Sequence, residues 1–250
     1  MGADLPPRLK KICRLPIRDI DRLLDIGCGD GGIALLLGNV FRARELYGVD
    51  VSAEAVSQAE ANGLYAVKAD VGKDVLPYGD QFFDIVFAGE VVEHLLNPDN
   101  LLGEIHRVLK VSGMCIVTTP NLASWYNRIQ LLMGYQPYAI PASHIFRGAG
   151  AFWPRARAQM VFGDCYSPSS GIAEGYPYHI QFYTMAGIKA LVEAHGFTDV
   201  KVTGASYDEA VFMMPGMVRR IVRSVDTAIS NTFASLASRT IIVGVKGATK

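Results

Sequence analysis

The sequence has 250 residues, 24 basic and 24 acidic side chains, 50% apolar residues and 25 glycines. That apolar fraction excludes a disordered chain, and formal neutrality removes the overall positive charge that drives non-specific attraction to nucleic-acid phosphates. No apolar run reaches the roughly 20 residues that span a bilayer, and the opening MGADLPPRLKKICRLP lacks a signal-peptide apolar stretch. Four cysteines, at 13, 28, 115 and 165, show no C-x-x-C spacing, so the expectation is a cytoplasmic protein with reduced thiols.

After a Pro-rich, basic lead-in, Arg22 to Ile26 reads as a short apolar strand that enters Gly27-Cys28-Gly29-Asp30-Gly31-Gly32, and Ile33 to Leu37 opens a helix. Leu46 to Val49 is a second strand ending at Asp50, Ala53 to Asn62 a helix stopped by Gly63, and Tyr65 to Ala69 a third strand ending at Asp70. Phe83 to Ala88 is a fourth strand, Asn100 to Lys110 an amphipathic helix, and Met114 to Thr119 a fifth strand closed by Pro120. This alternation predicts an α/β fold, a mostly parallel sheet with helices on both faces.

The alternation stops at Pro120, and the next clear helix is Thr184 to Ala194, with His195-Gly196 as its stop. Residues 121–183 hold 13 of the 24 aromatic residues, four arginines and two acidic residues, which is the composition of a substrate lid. Val200 to Ala205 and Thr240 to Val245 read as the last strands, around a helix whose Met217, Ile221, Val225, Ile229 and Phe233 recur every fourth position. At roughly 100–200 residues per domain, the motif order favours one domain over 1–250, with the lid inserted in it.

The glycine loop satisfies G-x-G-x-x-G, and Asp50 lies where a ribose-binding acid is expected. A nicotinamide dinucleotide and S-adenosylmethionine both carry that ribose. They differ in charge: a pyrophosphate seeks bare amides, whereas the methionyl end of S-adenosylmethionine carries an ammonium. Asp25, directly before the loop, would repel the first and suits the second. A NAD-dependent oxidoreductase is the rival enzyme, and a non-catalytic module that keeps the cofactor fold is the rival outside enzymes.

The segments Leu23-Leu24-Asp25-Ile26-Gly27-Cys28-Gly29-Asp30-Gly31 and Gly48-Val49-Asp50-Val51-Ser52 resemble the class I S-adenosylmethionine-dependent methyltransferases, and Asp70-Val71 and Phe83-Asp84-Ile85-Val86 extend the match over most of 22–119. The resemblance implies a Rossmann-like seven-stranded sheet with an antiparallel last strand. It also implies that Asp25, Gly27 and Gly29 cradle the methionyl part, Asp50 binds the ribose and Asp70 with Val71 faces the adenine. Cys28, Gly31, Val51 and Glu90 complete the expected cofactor contacts.

In Gly89-Glu90-Val91-Val92-Glu93-His94-Leu95, a helix would put Glu90, Glu93 and His94 on one face. Such a face needs a cation or an arginine partner unless it is well solvated, and magnesium, manganese, iron or zinc would satisfy it. The segment resembles the E-x-x-E-H element of the ubiquinone-pathway O-methyltransferases and the small-RNA 2′-O-methyltransferases, both of which place a metal there. Tyr178-His179-Ile180-Gln181-Phe182-Tyr183-Thr184 resembles their second histidine element, implying His179 as fourth ligand. Without a metal, His179 or His94 is the expected catalytic base. His106 and His195 have ordinary helix surroundings, and His144 is open between a loop role and a substrate or base role.

Thr119-Pro120-Asn121 delivers the chain to the cofactor end of the sheet, which makes Asn121, Trp125 and Tyr126 the expected substrate contacts; capping of a following helix is the alternative for Asn121. Arg128, Arg147, Arg155 and Arg157 among aromatics could grip an anionic or aromatic substrate, or stack RNA bases. Arg219, Arg220 and Arg223 lie beside the apolar stripe of the 215–237 helix, which would be a peripheral membrane contact or a solvated face. The expected activity is methyl transfer to a small-molecule hydroxyl, aided by a metal or not; transfer to nitrogen or carbon and RNA ribose methylation are the alternatives. Oligomeric state is left open.

Overall fold

In the computed structural model, which describes residues 5–137, 179–206 and 216–248, neighbouring residues of the first strand face opposite sides. β1 (Arg22–Ile26) sends Leu23 into a cluster with α1 (Pro7–Ile12), α2 (Gly32–Phe41) and α3 (Ala53–Ala61). Leu24 and Ile26 enter a second cluster, with α4 (Pro98–Val108) and α6 (Met185–Ala194). A central parallel strand covered on both faces must be apolar almost throughout, so Asp25, on the Leu23 face and 2% exposed, is an exception that requires a reason.

The described strands are β1, β2 (Glu45–Asp50), β3 (Tyr65–Lys68), β4 (Phe83–Gly89), β5 (Leu109–Pro120), β6 (Phe197–Ala205) and β7 (Arg239–Lys246). They form one sheet in the order β3-β2-β1-β4-β5-β7-β6, with β7 antiparallel between β5 and β6. The doubly wound sheet with an antiparallel last strand is thus present. At the end of the sheet away from the glycine loop, Asp84 accepts the amides of Asp21 and Arg22 at 3.1 and 2.8 Å and pairs with Lys110 at 2.6 Å. The carboxylate of the Phe83-Asp84 motif is therefore a structural tie.

Boundaries differ from expectation where the backbone turns. The amphipathic helix begins at Pro98, capped by Asn97, and ends at Val108 because Leu109 is already extended and pairs with Phe83. The sixth strand starts earlier, at Phe197, and a bulge between Thr198 and Lys201 absorbs Asp199. The lead-in contains α1, started by Pro7 in the first turn and anchored by Leu9 and Ile12. Within 121–183, α5 (Trp125–Leu132) follows Ser124, and the two ends of that region meet: Asn121 bridges Tyr183, and Leu122 N donates to Tyr183 O at 2.8 Å. α7 (Gly216–Thr232) leaves Met217 and Ile221 exposed; no described helix is long and apolar enough to cross a membrane.

Candidate active site

The loop after β1 is built by glycines in left-handed conformations, Gly27 at φ 72°, Gly29 at φ 54° and Gly31 at φ 85°. A Cβ on Gly27 would lie 2.6 Å from Val91 Cγ2, which packs the turn after β4 against the loop. A Cβ on Gly29 would meet nothing within 4 Å, so there the backbone faces open space that a ligand can occupy. Asp50, at the end of β2, accepts from Gly29 N at 3.0 Å and Ser52 N at 2.9 Å, joining the loop to the start of α3. Cys28 is buried behind it, its thiol pushed up to about 12 by burial and then by Asp25 and Asp50; Cys13, Cys28 and Cys115 are free thiols.

Asp25 Oδ2 is buried with no hydrogen-bond partner. Burial, then the neighbouring Asp50, raises the Asp25 carboxyl to about 8. Such an acceptor is poised for a cation, and pairing with an ammonium would restore its charge. Together with the space above Gly29, it fits the methionyl end of S-adenosylmethionine, with Asp50 beside the same loop for ribose hydroxyls. Asp70 is committed locally, accepting Gly72 N at 3.0 Å and pairing with Lys73 at 3.1 Å, while Val71 is buried in the core.

The turn after β4 departs from the expected helix. Glu90 N donates to Thr118 O at 2.9 Å, which keeps Glu90 on the β4–β5 ladder. Its φ of 59° then bends the chain, leaving Val92–His94 as a single 3₁₀ turn. Glu90 is consequently not with Glu93 and His94. Its carboxylate accepts from Thr118 Oγ1 at 2.9 Å and ion-pairs with Arg239, the first residue of β7. The like-charged pair is thus relieved by an arginine at Glu90, and the expectation that Glu90 joins a metal site is corrected.

Glu93, His94 and His179 do come together, with one ligand atom of each lying within 4.8 Å of the others. The ring centroids of the two histidines are 4.9 Å apart. Glu93 O accepts Ile180 N at 2.7 Å and Gln181 N at 2.9 Å, which delivers His179 to the turn. Glu93 is 1% exposed; Oε2 accepts Thr119 Oγ1 at 3.0 Å and Oε1 has no partner. Burial raises its carboxyl to about 7. Beside it a small cavity is lined by Glu93, Thr119, Tyr126, His179, Phe182 and Tyr183, among others.

Of the expected substrate contacts, Asn121 and Tyr126 line that cavity. Asn121 is also held internally: its amide donates to Ser235 O and Ala237 O at 3.0 and 2.8 Å, and its oxygen accepts Ala123 N at 3.0 Å. Trp125 Nε1 donates to the buried Asp226 at 2.8 Å, tying α5 to α7. His144 lies outside the described residues, as do Arg147, Arg155 and Arg157. His195 is a helix-end residue, with Nδ1 2.8 Å from Leu191 O, and His106 packs on Phe197. Sequence reasoning missed Thr119 and Arg239. The signal for the last was a lone arginine heading an apolar strand.

A sheet in this order, carrying a glycine loop after its first strand and a carboxylate oxygen without a partner beneath that loop, has the fold of the class I S-adenosylmethionine-dependent methyltransferases. Comparison with known proteins agrees, since the family described as "Methyltransferase domain" matches residues 24–117. The matched stretch runs from β1 through most of β5 and so includes the glycine loop and Asp50. The 27-O-demethylrifamycin SV methyltransferase of Amycolatopsis mediterranei is 35% identical over 108 residues, 40% of this chain and 38% of that one. The (S)-coclaurine N-methyltransferase of Papaver somniferum is 32% identical over 137 residues, 52% of this chain and 39% of that one. The chain thus spans about two-fifths of the length of these curated relatives. A solved S-adenosylmethionine-dependent methyltransferase from Mesorhizobium loti shares the fold, with a TM-score of 0.59 at 18% identity, covering 96% of each chain.

Proposed function

We propose that the chain transfers a methyl group to a hydroxyl of a small molecule, assisted by a divalent cation held by Glu93, His94 and His179. The observation that carries the metal-assisted form is the convergence of those three ligand atoms within 4.8 Å, in the turn whose Val91 packs against the glycine loop. S-adenosylmethionine supplies the electrophilic methyl. Asp25 orients its ammonium end, Asp50 and Gly29 hold the ribose side, and the rate gain derives from holding the acceptor oxygen in line with the methyl group.

Two imidazoles and one carboxylate suit manganese, iron or zinc better than magnesium, which favours all-oxygen surroundings. Three protein ligands leave positions for acceptor oxygens, as catalytic metal sites do, and a cation there lowers the pKa of a neighbouring hydroxyl. In the chain itself, Thr119 fixes the Glu93 carboxylate and the Ile180 and Gln181 amides fix the turn that presents it. The likeness to an N-methyltransferase of Papaver somniferum supports an amine acceptor as the second reading, with His94 or His179 taking the proton.

Calorimetric titration of manganese into chelator-treated protein saturated with S-adenosylhomocysteine separates the two. One-site binding that is lost in Glu93→Gln and His179→Ala but kept in Glu90→Gln is expected. Absence of binding to the wild-type protein would remove the cation and leave the amine reading.

A further inference from the structure

Three residues lining the small cavity at the β4 turn each keep a buried polar atom without a hydrogen-bond partner: Glu93 Oε1, Asn127 Oδ1 and Tyr183 Oη. The backbone sets the orientation of Asn127, which is 3% exposed on α5. Its Nδ2 donates to Asn121 O at 3.2 Å and Leu122 O at 3.1 Å, and the reverse placement would set an amide oxygen against two carbonyl oxygens. The atom of Asn127 left for a ligand is therefore Oδ1. Because the Trp125 indole ties α5 to Asp226 of α7, this acceptor is fixed in place before any ligand arrives.

A buried acceptor without a donor costs free energy until a donor meets it. The three atoms differ in what they require of a ligand. Glu93 is committed to the proposed cation, and a phenol hydroxyl such as that of Tyr183 can turn to give or to take a hydrogen. Asn127 Oδ1 can only accept, so of the three it is the one that discriminates. We propose that Asn127 selects a methyl acceptor carrying, besides the reacting hydroxyl, a second hydrogen-bond donor, an O–H or N–H group. An acceptor with an ether oxygen at that second position would set lone pairs against Oδ1, and a site built to bond a substrate hydroxyl rejects the analogue that lacks it. The inference rests on the hydroxyl-methylating reading given above.

The test compares resorcinol with its monomethyl ether, 3-methoxyphenol; each brings one hydroxyl for the Glu93 end, and they differ in the second. In calorimetry on protein saturated with S-adenosylhomocysteine, resorcinol is expected to bind about tenfold more tightly, the effect of one buried acceptor left unpaired. The preference should vanish in Asn127→Leu, which removes the acceptor, and survive in Asn127→Asp, which keeps one. Asn127→Leu also takes a donor from two carbonyls, so the wild-type amide is read directly as well. Its Cγ resonance, assigned by its absence from Asn127→Asp spectra, is expected to move downfield with resorcinol and to stay in place with the ether. Equal affinity for the two probes, binding of neither, an unmoved Cγ resonance, or an undiminished preference in folded Asn127→Leu would overturn the proposal. A preference lost equally in both variants would also overturn it, since Asn127 would then act through its hold on the backbone. Failure of the wild-type protein to bind S-adenosylhomocysteine instead removes the methyltransferase reading itself, and this proposal with it.

Discussion

At the end of β2, both oxygens of Asp50 accept backbone amides, from Gly29 and Ser52. In the turn after β4, Glu93 has one oxygen on Thr119 and the other on nothing, and Glu90 is met by an arginine 149 positions later. The glycine loop is therefore tied to the end of β2 by short-range contacts to backbone amides. The acceptor side is assembled from β4, β5, the segment after 179 and the head of β7, with acceptors left over. Rigid local scaffolding suits a ligand common to the class, while a long-range assembly can change its specificity without disturbing cofactor binding.

The largest effect expected is on the cofactor side. Asp50→Ala should lower S-adenosylhomocysteine affinity by about a hundredfold, two charge-assisted contacts being lost; affinity within a few-fold of wild type in calorimetry would dissolve the distinction. On the acceptor side, Asn121→Ala should cost about 3 kcal/mol of unfolding free energy, because the Ser235 and Ala237 carbonyls lose their donor. Denaturant titration that gives less than about 1 kcal/mol would mean that this clamp is not structural.

Asp25 sharpens the comparison through pH. Its folded-state carboxyl is raised from 3.8 to about 8, so the folded chain retains a proton that the unfolded chain releases. Its contribution to unliganded stability is full below about pH 4, falls as pH rises and levels off above about 8. Asp25→Asn should abolish that fall, and S-adenosylhomocysteine binding to the wild type should tighten from pH 6 toward about 8, as Asp25 ionises to meet the ammonium. Flat melting temperatures for the wild type over that range would contradict the assignment. The smallest effect is Thr119→Val, expected to cost about 1 kcal/mol and to leave cofactor affinity within about twofold. A larger affinity loss would show that the two sides are coupled.

The same division explains what the sequence disclosed. Leu23 to Gly31 and Gly48 to Asp50 were legible because strand, glycine turn and carboxylate lie next to one another along the chain, where backbone preference and burial act locally. The β4 turn was legible only in part. Glu93 and His94 were placed correctly beside His179, but Glu90 followed the ladder bond from Thr118 rather than helical spacing, and a hydrogen bond to another strand leaves no trace in local periodicity. Arg239 was not legible as the partner of Glu90, since that pairing depends on β7 lying beside β5. Asn121 carried an ambiguous signal, equally that of a ligand contact and a cap, and the structure gives it both an internal clamp and a place on the cavity wall.

The antiparallel strand between β5 and β6 also has a kinetic consequence. Strands β1, β2 and β4 pair through crossings of a few tens of residues, but β7 must close on β5 across more than a hundred, and chain-closure entropy delays such pairings. The methyl-donor half should therefore gain structure before the acceptor half exists. Pulsed hydrogen exchange during refolding is expected to protect the amides of β1 and β2 ahead of those of β7, and simultaneous protection would mean that the sheet forms in one step.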